Sequence, residues 1–599
     1  MHVHAPPRMA CFGLALVALA ACGGTATPGA ESPSTSTPPS TTDSDATAET
    51  GSSSSSTTTQ RPTAIEVEDL SPGSDFDRGL GGERTRSMVA ADFDNDGLDD
   101  MFVGNPGDPS FVVLNTSVPG SASFELLQVL SEGHLSWTAA AADFDNDGDV
   151  DLMVGGGGNE CQELDQLWQN QLVETGSVSF VEVREAMGLT RSDFLDRMAT
   201  TGVRWADFDN DGWLDLYVAH NASPRCGHMP PDTAQNQLWR NVGGERFENV
   251  TESSGMAAAP VGSTRHPSVF DYDDDGDLDI FDSNLQGKNV FLHNLHAETG
   301  ELTFGSLDPV LLDGADQGPL RAFASCTADF DNDGFEDLLV LNRAASECSV
   351  APDPDATGGY GLLHAVFRNT GAGSFENVTA AAGLDVQVAG DANGVMGCQV
   401  GDLNGDGAVD VFVGNGGPDA AGANDLYLGA TSGIAFDDES ALIRQQGAFR
   451  THGSVIADID GDWVPELVVG NGGPAVTDDV NEPNRILSFR WLHDASYLQV
   501  RLAGDGVHVN RDAIGAKVEL VFEGSDGATR SLFRTVKGGS CFSADNGRAL
   551  HFGLGHSAES QPDDIPVRID VRWPDGTTSQ HPVVSEPGAS QGMAIAYPG

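Results

Sequence analysis

The chain has 599 residues and carries 90 Asp+Glu against 30 Lys+Arg, a formal charge of −60. Three acids per base exclude a surface built to neutralise nucleic-acid phosphates or to be drawn onto anionic lipid headgroups. A hydrophobic content of 39% supplies enough apolar material for a core, so wholesale disorder is excluded as well.

Residues 1–21 read as an export signal, with Arg8 in a short basic region and an apolar run over 9–21. That run is too short for a membrane span, which takes ~20 apolar residues. It closes on Leu19-Ala20-Ala21-Cys22, which resembles the lipobox of bacterial lipoproteins. The resemblance implies cleavage before Cys22, lipid on its thiol, and a place in the cell envelope, at the outer membrane or cell surface. Membrane attachment is then expected through that lipid alone. Residues 22–64 are almost entirely Ser, Thr, Pro, Ala, Gly and acid. They cannot offset the entropy of ordering and are expected to be a tether.

From residue 92 onward an acidic nonapeptide recurs seven times. The copies, loops 1 to 7, are DFDNDGLDD from Asp92, DFDNDGDVD from Asp143, DFDNDGWLD from Asp207, DYDDDGDLD from Asp271, DFDNDGFED from Asp329, DLNGDGAVD from Asp402 and DIDGDWVPE from Asp458. Their starts lie 51 to 73 residues apart. Short β-type runs flank each copy, so each is the turn of a hairpin. A second landmark follows, with Asn170, Asn241, Asn294 and Asn369 closing the strings LWQN, LWRN, FLHN and VFRN. Room for about four strands per unit predicts an all-β fold: a seven-bladed β-propeller over 65–495. A stacked solenoid is the competitor, but its repeats are usually shorter and more regular. Residues 496–599 alternate apolar and polar between turn signals and predict a small β-sandwich.

Acids or amides stand at positions 1, 3, 5 and 9 of each nonapeptide, and Gly at position 6 in six copies. Short acids on alternate residues converge once the chain turns sharply, and the position 7 carbonyl can complete an all-oxygen shell for a hard cation such as Ca²⁺. The expected ligands in loop 1 are Asp92, Asp94, Asp96, Asp100 and the carbonyl of Leu98. Loop 2 offers Asp143, Asp145, Asp147, Asp151 and Asp149; loop 3 offers Asp207, Asp209, Asp211, Asp215 and Trp213. Loop 4 offers Asp271, Asp273, Asp275, Asp279 and Asp277, and loop 5 Asp329, Asp331, Asp333, Asp337 and Phe335. In loop 6 Asn404 replaces an acid among Asp402, Asp406, Asp410 and Ala408. Loop 7 (Asp458, Asp460, Asp462, Glu466 and Val464) is the weakest of the seven, with Trp463 where Gly belongs. An EF-hand needs a bidentate Glu at position 12, between helices; six copies place Val there. The competing reading, solvated turns, does not account for seven copies of one spacing. Unit charges ~4 Å apart repel by ~1 kcal/mol per pair even in water.

These hairpins resemble the FG-GAP/VCBS repeats of integrin α-subunit propellers, which implies up to seven bound calcium ions. Asn510-Arg-Asp-Ala-Ile-Gly, Gly538-Gly539-Ser-Cys-Phe, Leu550-His-Phe-Gly-Leu-Gly555 and Val571-Arg-Trp-Pro-Asp-Gly576 resemble the ASPIC/UnbV domain. Repeats followed by this domain look like the cartilage acidic protein group, with Cys541 a departure from its pattern.

Exported cysteines are free to pair. Cys161, Cys226 and Cys348 occupy equivalent loops, so Cys161–Cys226 is expected, and Cys398 with Cys348 or Cys326; Cys541 is unassigned. H-E-x-x-H, G-x-S-x-G and Walker A motifs are absent. A binding, adhesion or scaffold module with an extracellular protein or glycan partner is therefore expected rather than an enzyme. The alternative is an enzyme or accessory acting on extracellular polysaccharide. Six residues before each loop stand Arg86, Trp137, Thr201, Arg265, Phe323, Met396 and His452, expected near the propeller axis as packing residues or, less often, beside a ligand.

Overall fold

A computed structural model describes residues 65–71, 84–131, 133–157, 164–190, 198–221, 235–259, 262–286, 288–306, 322–342, 364–384, 394–417, 420–472, 482–491, 495–524, 527–540, 542–556, 565–584 and 589–599. The chain divides into two units, Met1–Pro62 and Thr63–Gly599. The signal, Cys22 and the tether fall outside the described residues, as do Cys161, Cys226, Cys348 and Cys541.

Among the described residues the chain is nearly all β. Each acidic nonapeptide joins the first two strands of an antiparallel sheet, as at Ser136–Ala142 with Asp151–Gly156 and Ala199–Ala206 with Asp215–Asn221. A third strand carries the Asn landmark, as at Gln237–Asn241, and a short fourth closes the sheet, as at Phe247–Asn249. Among the described residues seven such sheets follow one another. Their first strands pack each against the next, and the last (Thr451–Ala457) packs back against the first (Ser87–Ala91), so the ring closes. These strands are buried along nearly their whole length because they face neighbours on both sides. In the last sheet the fourth strand comes from the opposite end of the sequence: Ile65–Asp69 pairs antiparallel with Arg485–Trp491. The propeller-type all-β fold is therefore as expected.

Residues 495–599 form two further sheets. One holds Ala495–Ala503 between Leu550–His556 and Gln591–Ala596; the other holds Lys517–Glu523 and Ile565–Arg572 between Thr529–Thr535 and Thr578–Pro582. Their apolar faces share one core, with Leu498, Val500, Val518, Leu520, Phe552 and Ile569 fully buried.

The residues six places before the loops sit at one repeated irregularity. In six sheets the pairing register skips a first-strand residue, and the skipped residues are Trp137, Thr201, Arg265, Phe323, Met396 and His452 (with Gly453). A bulge re-aims a side chain. Here Arg86 lies over the Trp137 ring at 3.2 Å and over Phe542 at 5.7 Å, while Phe323 meets Phe542 edge-on at 5.1 Å. The segment carrying Phe542 threads into the ring. Ala544–Asp545 pairs parallel with the first strand of sheet 1, Trp205 N–H donates to Gly538 O at 2.8 Å, and Ile456 N–H to Asn546 Oδ1 at 2.9 Å. Arg86, Trp137 and Phe323 are thus packing residues around a plug supplied by the C-terminal sandwich. Beside them Cys326 is joined to Cys398, first strand to neighbouring first strand, which decides between the two expected partners of Cys398.

Candidate metal centres

Each loop is shaped by its own acids. The position 1 carboxylate accepts from the backbone N–H groups of the turn: Asp92 takes Asp96 N–H and Gly97 N–H at 3.0 Å each, and Asp143, Asp207, Asp271 and Asp329 repeat the pattern. Position 5 accepts from the N–H of position 7 in all seven loops, from Leu98, Asp149, Trp213, Asp277, Phe335, Ala408 and Val464. Position 6 takes positive φ throughout, 87° to 105° in Gly97, Gly148, Gly212, Gly276, Gly334 and Gly407. In loop 7 Trp463 adopts the same left-handed region at φ 71°, where a side chain is strained.

Position 9 is a strut. In loops 1 to 5 one oxygen accepts from the N–H of position 2 and the other from the N–H of the third-strand Asn: Asp100 holds Phe93 at 2.9 Å and Asn115 at 2.7 Å, and Asp337 holds Phe330 and Asn369. Gly429 replaces the Asn in loop 6, and Glu466 of loop 7 holds Ile459 N–H. All seven of these acids are buried.

Position 3 is where loops 2 to 5 are incomplete as polar structures; in loops 1, 6 and 7 the equivalent oxygen of Asp94, Asn404 and Asp460 accepts from the N–H of position 5. The Oδ2 atoms of Asp145, Asp209 and Asp331 are held by the third residue of the landmark: Gln169 Nε2 at 2.6 Å, Arg240 Nε at 2.6 Å and Arg368 Nε at 2.7 Å. In loop 4 that residue is His293, whose Nδ1 lies 3.2 Å from Asp279 and 3.9 Å from Asp273. The Oδ1 atoms of Asp145, Asp209, Asp273 and Asp331 are buried and have no hydrogen-bond donor. The Asp209 and Asp331 side chains are only 6% and 9% exposed. A buried bare carboxylate oxygen is costly, and each of these stands among further carboxylates. Oxygens of Asp143, Asp145 and Asp151 lie within 4.8 Å of one another, as do those of Asp207, Asp209 and Asp211, and of Asp92, Asp94 and Asp96. Burial, with neighbouring acids adding to it, pushes Asp100 and Asp207 up to about 8 and Asp143 and Asp337 to about 9. In the clusters of loops 1 to 3 the donor set is all oxygen and fits a hard divalent cation, whereas in loop 4 His293 stands with Asp273 and Asp279.

Sequence reasoning missed two sets of residues. The landmark asparagines tie one sheet to the loop before it: Asn170 Nδ2 donates to Phe93 O, Asn241 to Phe144 O, Asn294 to Phe208 O and Asn369 to Tyr272 O, at 2.7–2.9 Å. Asn115 does the same to Ile459 O at 2.8 Å, across the closure of the ring. Their signal was the Asn repeated at one place in each unit. The second set is the C-terminal sandwich, which meets the loops. Arg501 pairs with Asp99, Arg572 with Asp271, Lys537 with Glu336 and Gln499 Nε2 with Asp458, while Gly553 N–H donates to Asp402 at 2.8 Å.

Residues 92–154, 207–281 and 329–413 match the model of the FG-GAP-like repeat, and 506–595 match that of ASPIC and UnbV. The chain is an FG-GAP-repeat protein with a C-terminal ASPIC/UnbV domain. This FG-GAP-repeat chain is 24% identical over 538 residues to cartilage acidic protein 1 of Mus musculus, covering 78% of this chain and 74% of that protein. The Homo sapiens protein of the same name is 23% identical over 536 residues, with 78% and 72% covered. Similar solved structures include YCF48 bound to D1 peptide (TM-score 0.37, 10% identity, 72% of this chain and 96% of that one). The V. cholerae biofilm matrix protein Bap1 is another (TM-score 0.29, 12% identity, 86% and 76%). FG-GAP-like repeats with an ASPIC/UnbV domain make a β-propeller binding or scaffold module.

Proposed function

We propose that this chain is a calcium-dependent, seven-bladed propeller that works outside the cytoplasm as a binding, adhesion or scaffold module, held to the bacterial cell envelope by lipid on Cys22. The observation that carries the calcium reading is the set of buried, donorless Oδ1 atoms of Asp145, Asp209, Asp273 and Asp331, with Asp145 and Asp209 inside all-carboxylate clusters. A bound Ca²⁺ would supply the positive charge these oxygens lack, taking 6–8 oxygen ligands. The chain's own residues do the rest: position 1 shapes the turn, position 9 braces it, and Gln169, Arg240 and Arg368 hold the outer oxygen of position 3 so that the inner one faces the cluster. An extracellular protein or glycan is the proposed partner, and the absence of a catalytic motif supports binding over turnover.

Elemental analysis of the purified, unchelated full chain is expected to find several equivalents of calcium per chain; a trace level would sink the calcium reading. For the anchor, Cys22→Ser is expected to move the protein from the detergent phase to the aqueous phase, and unchanged partition would overturn it.

A further inference from the structure

The fourth residue of each loop is no ligand in the set above, yet in loops 1 to 3 it is an asparagine placed by one geometry. Asn95, Asn146 and Asn210 all take left-handed backbone, φ 58°, 55° and 51°. Each side-chain amide donates out of its own loop and into the following one. Asn95 Nδ2 donates to Gly148 O at 3.0 Å and Asn146 Nδ2 to Gly212 O at 3.0 Å. Asn210 Nδ2 donates to Asp277 Oδ1 at 3.1 Å and lies 3.5 Å from Gly276 O. The receiving carbonyl is always that of position 6, between the ligand at position 5 and the ligand carbonyl at position 7.

The relay changes chemistry at loop 4. There the fourth residue is Asp274, which has no amide to donate; it accepts instead from Arg572 Nη2 at 2.6 Å and Lys517 Nζ at 3.0 Å. Between loops 5 and 6 a guanidinium stands in the gap. Arg534 Nη1 lies 3.5 Å from Asn332 Oδ1 and Nη2 lies 3.3 Å from Gly407 O, the same two positions that pair directly in the first loops.

We propose that the loops take up their ions cooperatively, as a linked belt, with the fourth-position amides coupling loops 1 to 4 and Arg534 of the C-terminal domain coupling loops 5 and 6. This rests on the calcium reading of the loops. An ion in one loop fixes positions 3 and 5, and so fixes the asparagine between them. That asparagine then holds the carbonyl between positions 5 and 7 of the next loop. A neighbour already ordered loses less entropy when its own ion arrives, which raises its affinity.

Trp213 supplies a local reporter, since its carbonyl is a proposed ligand of loop 3. Calcium is titrated into the chelated full chain while tryptophan emission is followed, with Trp213→Phe identifying the loop 3 signal. Asn146→Gly keeps a residue at ease in left-handed backbone, replaces no proposed ligand, and removes the amide that reaches loop 3 together with the Oδ1 that accepts from Arg511 N–H. It is expected to move the loop 3 midpoint to roughly fivefold higher calcium, the low end of ordinary coupling. Arg534→Gln is expected to leave that midpoint in place and to weaken the uptake of the last ions measured by calorimetry. A loop 3 midpoint unmoved by Asn146→Gly, or last-ion uptake unchanged by Arg534→Gln, would overturn the belt while leaving the calcium sites standing. If the unaltered chain binds no calcium, the calcium reading fails and the belt falls with it.

Discussion

Chelating the full chain is expected to lower its melting temperature steeply, and adding back Ca²⁺ to restore it. One site at a hundredfold excess of ion over its Kd stabilises by ~2.7 kcal/mol, and several loops present the same cluster. Without the ion, the inward oxygens of Asp145, Asp209, Asp273 and Asp331 are buried beside other carboxylates with nothing to receive. Mg²⁺ is expected to restore much less, because it demands near-octahedral geometry at ~2.0–2.1 Å and gives up water reluctantly. Asp331→Asn is expected to reduce the calcium-dependent increment by about one site's worth, since Arg368 is left with Asp333 as its carboxylate partner and the inner ligand loses its charge. Scanning calorimetry with and without chelator is the measurement. Coincident transitions in the two conditions would refute the reading.

Phe542→Ala is expected to cost ~3–5 kcal/mol, the range for deleting a buried phenylalanine ring. The ring is wholly buried, with Arg86 over its face and Phe323 against its edge, at the point where the C-terminal domain enters the propeller. Removing it leaves a void bounded by backbone that is hydrogen-bonded to the first strands, as in Met88 N–H to Ser543 O at 3.1 Å, so collapse is restricted. Urea unfolding followed by near-ultraviolet circular dichroism measures the loss. A cost below ~1 kcal/mol would mean that the plug is not part of the core.

The acidic hairpins were legible in the sequence because their chemistry is local: nine consecutive residues hold the alternating acids and the turn glycine. The ring was legible through repetition of those nine. What lay hidden depends on partners far along the chain. Asn170 reaches back to Phe93 and Asn369 to Tyr272, each into the loop before its own, so the repeated Asn could be seen without its purpose. The residues six places before each loop were picked out by their spacing, but only strand register shows that six of the seven are bulges. Arg501, Arg534 and Arg572 stand in no motif that names a loop, although they sit against loops 1, 6 and 4. Cys398 had two candidate partners by spacing alone, and the packing of adjacent first strands selects Cys326.

Because the last sheet borrows its outer strand from residues 65–69, the ring has a seam. A ribosome must release the chain past residue 491 before that seam can form, so the early sheets wait, unclosed, through most of synthesis. The same five-residue ladder takes the first load when the N-terminal side is pulled: tension there reaches the clasp of the whole ring before any one sheet.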